Sequence, residues 1–234
     1  MSYLRIIAMF LWSILCITVS LLVLLVTFNR KLPLAMARTI WAPVILLILS
    51  SKTVTTGQEN IEKGKSYILI SNHLSYLDIP SLFKVIPLNL HFIAKQELKK
   101  APFLGWYMRA TGMIFINRGN NVEARQSLKD AGELIAKGKT VLIFPEGTVS
   151  ESGEIMRFKK GGFNLALESK VEILPISIKG TNNIWPTNTN TRFRKGTVSV
   201  NIGKPISLKD YTYNQLNGLM VEVKNEVSRL QSLT

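Results

Sequence analysis

Cysteine is almost absent. The 234-residue chain has one, Cys16, inside an apolar segment. That excludes a disulfide framework or a thiolate zinc site within one chain. Histidine is nearly as scarce, with two, so an imidazole catalyst is either His73 or His91. Acids are outnumbered: 15 Asp and Glu face 29 Lys and Arg, a net charge of +14. The first 50 residues hold Arg5, Arg30, Lys31 and Arg38 and no acid at all. A surplus of this size repels itself unless part of it faces something anionic. Nucleic acid, lipid headgroups and phosphorylated substrates are the options. There is no zinc-finger, RRM or KH signature, and an apolar leader segment points to lipid, so no nucleic-acid partner is expected. Internal repeats, low-complexity tracts and long linkers are missing too. The length suits one domain with a full core plus an appendage, not two catalytic domains. A hydrophobic content of 47% excludes a disordered chain.

What is present begins with an apolar run. Residues 6–28, IIAMFLWSILCITVSLLVLLVTF, carry no charge, and about 20 such residues suffice to cross a bilayer. A cleaved signal peptide is the competing reading, with Ala35-Met36-Ala37 as its site. The run is longer than an ordinary signal core, however, and Arg30-Lys31 interrupts the region before that site. The second stretch, residues 39–50, is short for a span and reads as a re-entrant or interfacial element. Pro33 and Pro43 punctuate this region. Cations flank both runs, so the positive-inside rule assigns no orientation. Residues 1–50 are therefore expected to form an N-terminal membrane-embedded helical segment. Residues 51–234 then form the catalytic domain.

From residue 66 short Ile- and Val-rich runs alternate with amphipathic segments. The runs at 67–71, 91–94, 113–117, 140–144, 173–178 and 197–202 predict strands. The segments near 77–86, 97–110, 121–137, 160–169 and 213–231 predict helices. In the third of these, Val122, Leu128, Ala131, Leu134 and Ile135 fall near one face. The alternation predicts an α/β fold, with a largely parallel central sheet flanked by helices. Such sheets gather ligands beyond the carboxyl ends of their strands.

Four segments at predicted strand ends carry chemistry. In Asn72-His73-Leu74-Ser75-Tyr76-Leu77-Asp78, a histidine leaves a strand and a carboxylate follows five residues later. That pair can fix the imidazole tautomer while the free ring nitrogen takes a hydroxyl proton. No serine or cysteine nucleophile is needed if the substrate hydroxyl attacks. The competing reading makes Asp78 a helix cap, with Pro80 in the first turn. Gly112–Arg118 is a strand ending in arginine, whose planar fork suits phosphate; the alternative is a solvated terminal charge. Phe144-Pro145-Glu146-Gly147-Thr148 offers side chains for hydroxyls and backbone N–H groups for an oxyanion or phosphate, or is a plain Pro-Gly turn. In Ile173-Leu174-Pro175-Ile176 the internal proline predicts an edge or bulged strand.

Together NHLSYLD at 72–78, GMIFINR at 112–118, FPEGT at 144–148 and ILPI at 173–176 resemble the 1-acylglycerol-3-phosphate acyltransferase family of glycerolipid acyltransferases. AKQEL at 94–98 and FKKGGF at 158–163 resemble it as well. The likeness spans about residues 66–185, with the motifs in order. It implies His73 as general base and Asp78 as its partner. It implies Arg118, Glu146, Gly147 and Thr148, with Lys95, Lys159 and Lys160, as substrate-binding residues. It implies acyl-CoA or acyl carrier protein as thioester co-substrate, with no metal and no other cofactor. It further implies lysophosphatidate and membrane lipids as partners. Both donors are cytosolic, so the catalytic domain is expected at the cytosolic membrane face, the inner membrane if the source is bacterial. One departure stands out: the family usually has arginine after FPEGT, and here the residue is Val149. Either Arg157, Lys159 or Lys160 replaces that charge, or the acceptor lacks a phosphomonoester, as lyso-ornithine lipid does. His91 is expected to be a packing residue.

Overall fold

The computed structural model describes residues 2–117, 121–188 and 192–233, with backbone alone for 121–125 and 128–130. Two apolar helices come first. Helix α1, Ser2–Thr27, is a single 26-residue helix. A second helical stretch, Lys31–Ile48, returns along it. It comprises α2 (Lys31–Met36), a π-helical turn (Ala37–Trp41) and α3 (Ala42–Ile48). Residues 39–50 are thus mostly the end of a longer helix. Pro43 explains the π turn: proline has no N–H to donate to the preceding turn, and a wider turn absorbs the missing bond. By length and composition both helices suffice to cross a membrane.

A seven-stranded sheet follows, in the order β1-β7-β6-β2-β5-β3-β4. Its strands are β1 (Ser51–Thr56), β2 (Ile68–Ser71), β3 (Leu90–Lys95), β4 (Ile114–Ile116), β5 (Thr140–Ile143), β6 (Ile173–Lys179) and β7 (Gly196–Ile202). Strands β2 to β6 are mutually parallel. Among the named strands only the β6–β7 pairing is antiparallel, and β1 runs parallel to β7. The helices are α4 (Asp78–Val85), α5 (Leu104–Thr111), α6 (Asn121–Ala136), α7 (Gly161–Ser169), the short α8 (Thr181–Ile184) and α9 (Leu216–Gln231). The α/β fold with a largely parallel sheet is as expected.

Three local expectations differ. Strand β1 lies outside the predicted runs. Its sequence SKTVTT alternates half-buried and exposed positions at the sheet edge, so it lacks the apolar run of an inner strand. The helix expected at 97–110 is broken into a 3-10 turn, Gln96–Lys100, and α5. Pro102 is the cause. It disfavours helical backbone in the residue before it, and Ala101 is extended at ψ 128°. Strand β6 is interior, between β7 and β2, and not an edge. Pro175 survives there because its missing donor faces Gly203. The Gly203 N–H bonds the Pro175 carbonyl, and a Cβ on Gly203 would lie 2.9 Å from Pro175 Cγ.

Two apolar clusters cover the two faces of the sheet. On one face Leu69, Leu142, Leu174 and Ile176 pack with Leu82 and Phe83 of α4 and with Ala42, Ile45, Leu46 and Leu49. The helical hairpin therefore shares the core of α4. On the other face Ile68, Ile70, Val141 and Ile143 meet Phe163, Leu165 and Ala166 of α7 and Leu219, Val223 and Val227 of α9. Ala131 and Ile135 of α6 are buried there, whereas Leu134 is exposed. The side chains of Val122 and Leu128 lie outside the described residues.

Candidate active site

Sequence places a histidine and an acid just past the end of β2, and the parallel sheet aims that end at the ligand side. Asn72, the first residue beyond the strand, is fully buried. Its amide bonds both the carbonyl and the N–H of Ile178 at 2.8 Å. This bidentate link fixes the β2 exit to β6. The next residue, His73, receives three constraints. Its backbone N–H donates to Glu146 Oε1 at 3.0 Å, and its carbonyl accepts from Ser150 at 2.8 Å. Its ring stacks on Phe144, with centroids 4.0 Å apart and planes at 13°.

The ring nitrogen Nδ1 lies 2.7 Å from Asp78 Oδ2. That oxygen also accepts the backbone N–H groups of Leu74 at 2.7 Å and Ser75 at 2.9 Å. Asp78 is wholly buried, and its donors precede it in the chain. A helix cap would instead accept from N–H groups two or three residues further along the chain, inside the helix. The structure shows no such bond at the start of α4. Asp78 therefore closes the loop onto itself and holds the imidazole. An acceptor at Nδ1 assigns the ring proton to that nitrogen and leaves the Nε2 lone pair free. The histidine side chain keeps 14% of its surface open, enough for a hydroxyl to reach it.

The FPEGT segment leaves β5 beside this pair. Glu146 is buried, and its two oxygens are taken by the backbone N–H groups of His73 and Met156, each at 3.0 Å. Burial pushes its carboxyl above the ordinary value, against the opposing pull of those two N–H donors and of His73. Gly147 has φ +79°, and a Cβ there would lie 2.5 Å from Lys159 Nζ. The glycine thus makes room for that ammonium over the loop. Lys159 also anchors the segment, donating its backbone N–H to Pro145. Thr148, Lys159 and Lys160 are exposed, and Val149 is half-buried. Lys95 ends β3 on the same side of the sheet and is exposed. Arg118 lies outside the described residues.

Asn72, Phe144, Ser75 and Trp185 carry structural work that no separate sequence signal assigned. Ser75 Oγ donates to the Trp185 carbonyl at 2.7 Å, and Tyr76 meets the Trp185 ring at 5.6 Å. Asn72 and Phe144 sit inside the motifs themselves, flanking the residues that carry charge. His91 lies away from the site, buried in β3, with Nδ1 3.2 Å from the Thr140 carbonyl.

An open α/β sheet with a histidine–carboxylate pair at its carboxyl edge, and a glycine-lysine loop beside it, is an arrangement that can activate a hydroxyl. The chain belongs to the Acyltransferase family, whose model matches residues 52–179. A 1-acyl-sn-glycerol-3-phosphate acyltransferase of Saccharomyces cerevisiae is 36% identical over 187 residues, covering 79% of this chain and 61% of the yeast protein. The chloroplastic 1-acyl-sn-glycerol-3-phosphate acyltransferase BAT2 of Brassica napus is 34% identical over 204 residues, covering 86% and 58% respectively. The chain thus spans about three fifths of the length of these curated relatives. The crystal structure of the 1-acyl-sn-glycerophosphate (LPA) acyltransferase from Thermotoga maritima superposes with a TM-score of 0.78 at 31% identity. That match covers 99% of this chain and 98% of the other.

Proposed function

We propose that the protein transfers a fatty acyl chain from acyl-CoA or acyl carrier protein to the sn-2 hydroxyl of 1-acylglycerol-3-phosphate, giving phosphatidate. The observation that carries this reading is the 2.7 Å contact between His73 and a fully buried Asp78. His73 Nε2 takes the proton of the sn-2 hydroxyl as its oxygen attacks the thioester carbonyl. Asp78 stabilises the imidazolium that results. The tetrahedral intermediate collapses, the carbon–sulfur bond breaks, and the imidazolium returns its proton to the departing thiolate. The chain needs no nucleophile of its own. Glu146 acts here through the backbone of His73. Lys159, Lys160, Lys95 and Arg118 supply the positive charge that the acceptor phosphate requires, in place of an arginine at Val149. A phosphomonoester carries about −1.5 to −2 charges near neutral pH, which demands several cations. The apolar hairpin holds the enzyme in the membrane, with the site on the cytosolic side where both donors are found.

The test is release of free CoA by purified protein, with and without a panel of lysolipids. Lysophosphatidate should stimulate release, and His73→Ala should abolish that stimulation. If wild-type protein ignores lysophosphatidate and acylates a lysolipid without the phosphomonoester, such as lyso-ornithine lipid, the acceptor is wrong while the dyad stands. Release that survives His73→Ala in folded protein refutes the mechanism.

A further inference from the structure

Helix α5 has two faces with opposite fates. One face is buried against the hairpin: Tyr107 and Met108, with Met113 just beyond the helix, pack with Leu34 and the half-buried Ile17. The Tyr107 hydroxyl donates to the Pro33 carbonyl at 3.1 Å. The other face is open. Phe103, Leu104 and Trp106 are 40%, 44% and 47% exposed. Phe103 adopts φ 56°, a conformation that costs about 1–3 kcal/mol in an L residue and is retained mostly where function demands it. Its ring meets Trp106 at 5.2 Å. Beside this aromatic pair lies a shallow cleft of about 530 Å³, lined by Gln96, Lys99, Lys100, Trp106 and Arg109. All three cations are exposed, and none forms an ion pair or hydrogen bond with a described residue. Glu97, the one acid of the 3-10 turn, does not line the cleft.

We propose that this cleft binds the phosphate of an anionic membrane phospholipid, separate from the acyl-transfer site. Two properties of the patch fit that occupant together. Three unpaired cations match a phosphate charge, and exposed rings at the same spot suit the headgroup level of a bilayer, where Trp and Lys or Arg side chains concentrate. Helix α5 packs on the hairpin near Ile17 and Leu34, and Leu15, Val19 and Leu22 in the same stretch of α1 are also exposed. A soluble anion would not call for the aromatic rim. The site would fix how the domain sits on an anionic membrane surface, beyond the attachment that the hairpin provides.

Lipid retention tests this without any substrate, so its outcome is independent of the proposed reaction. Full-length protein is placed in phosphatidylcholine nanodiscs containing a minor fraction of phosphatidylglycerol. It is then extracted in mild detergent, and the co-purifying lipids are quantified by mass spectrometry. Wild-type protein should retain phosphatidylglycerol at about five-fold or more its bulk fraction, since each basic residue near an anionic surface contributes a factor of about five. The variant Lys99→Gln/Lys100→Gln/Arg109→Gln should retain it at the bulk fraction. Lys99→Arg/Lys100→Arg should keep the enrichment. So should Lys63→Gln/Lys204→Gln/Lys209→Gln, which removes as much charge elsewhere. Undiminished enrichment in the cleft variant overturns the proposal, as does equal loss in the remote variant. Displacement of the lipid by inorganic phosphate at equal concentration would identify a free-anion site and overturn it too.

Discussion

At the scale of single residues, the site depends on one carboxylate oxygen with three donors. Asp78 Oδ2 serves the imidazole and two backbone N–H groups. Asp78→Asn puts an amide where the ring needs a charged acceptor, so turnover should fall by about 10²–10⁴-fold with little change in either Michaelis constant. An unchanged turnover would remove the carboxylate from the chemistry. Glu146 predicts a different signature. Glutamine can satisfy only one of its two backbone donors well, leaving His73 or Met156 unpaired. Glu146→Gln should lower turnover about 10–100-fold through misplacement of His73 and reduce the melting temperature as well; a raised acceptor Michaelis constant alone would instead mean direct substrate contact. His91 predicts no catalytic loss but a pH effect. Burial holds its pKa down to about 4, with the Thr140 carbonyl pulling the other way. The unfolded chain takes up this proton near pH 6.5, the folded chain only near 4. The stability that a neutral His91 contributes is complete above about pH 6.5 and is lost as pH falls toward about 4. His91→Asn keeps a side-chain donor for Thr140 and removes the titration, so its urea midpoint should fall less than the wild type's between pH 7 and about 5.

At the scale of elements, most of the sheet was legible because its inner strands are apolar runs. The residues of β2 and β5 are buried without exception, and each run ends at the motif it delivers. What escaped was governed by neighbours in space. The edge strand β1 looks polar in sequence and becomes a strand only by pairing with β7. The interior place of β6 depends on Gly203, 28 residues beyond Pro175. The dyad was legible from residue type and spacing, yet spacing could not separate a loop-closing carboxylate from a helix cap. The Asn72 link between β2 and β6 was invisible for the same reason, since its partner Ile178 is 106 residues away. That link sets the aim of the loop that carries His73. Asn72→Leu would leave a buried N–H and a buried carbonyl of Ile178 unpaired, at about 1–3 kcal/mol each. Thermal unfolding should show a loss of about 2–6 kcal/mol, and turnover should drop in the fraction that folds. A variant as stable as wild type would show that β6 needs no such link.

At the scale of the whole molecule, the apolar hairpin is long and apolar enough to cross a membrane and is also part of the core. Helix α1, about 39 Å long at 1.5 Å per residue, buries only Met9 and Ser20 and leaves about half of its apolar side chains exposed. An attachment of that kind is apolar, so salt should not reverse it. Washing membranes with molar salt is expected to leave the protein in the pellet, and recovery in the wash would mean that its cations alone hold it there. The second helical stretch is committed inward. Ile45, Leu46 and Leu49 are 4%, 1% and 0% exposed and pack in the same cluster as Leu82 and Phe83 of α4. Burying one such side chain is worth about 1.5–3 kcal/mol. Three together contribute roughly 5–9 kcal/mol, which rivals the whole net stability of a typical domain, about 5–15 kcal/mol. Removing residues 1–50 should therefore do more than free the domain from the membrane. It strips α4, the helix that starts at Asp78, of its cover. Residues 51–234 expressed alone are expected to aggregate or to melt without a cooperative transition, even in detergent. A truncated chain that stays monomeric, unfolds cooperatively and still turns over a water-soluble short-chain acceptor would show instead that the hairpin is a detachable anchor and that the dyad is positioned by the sheet alone.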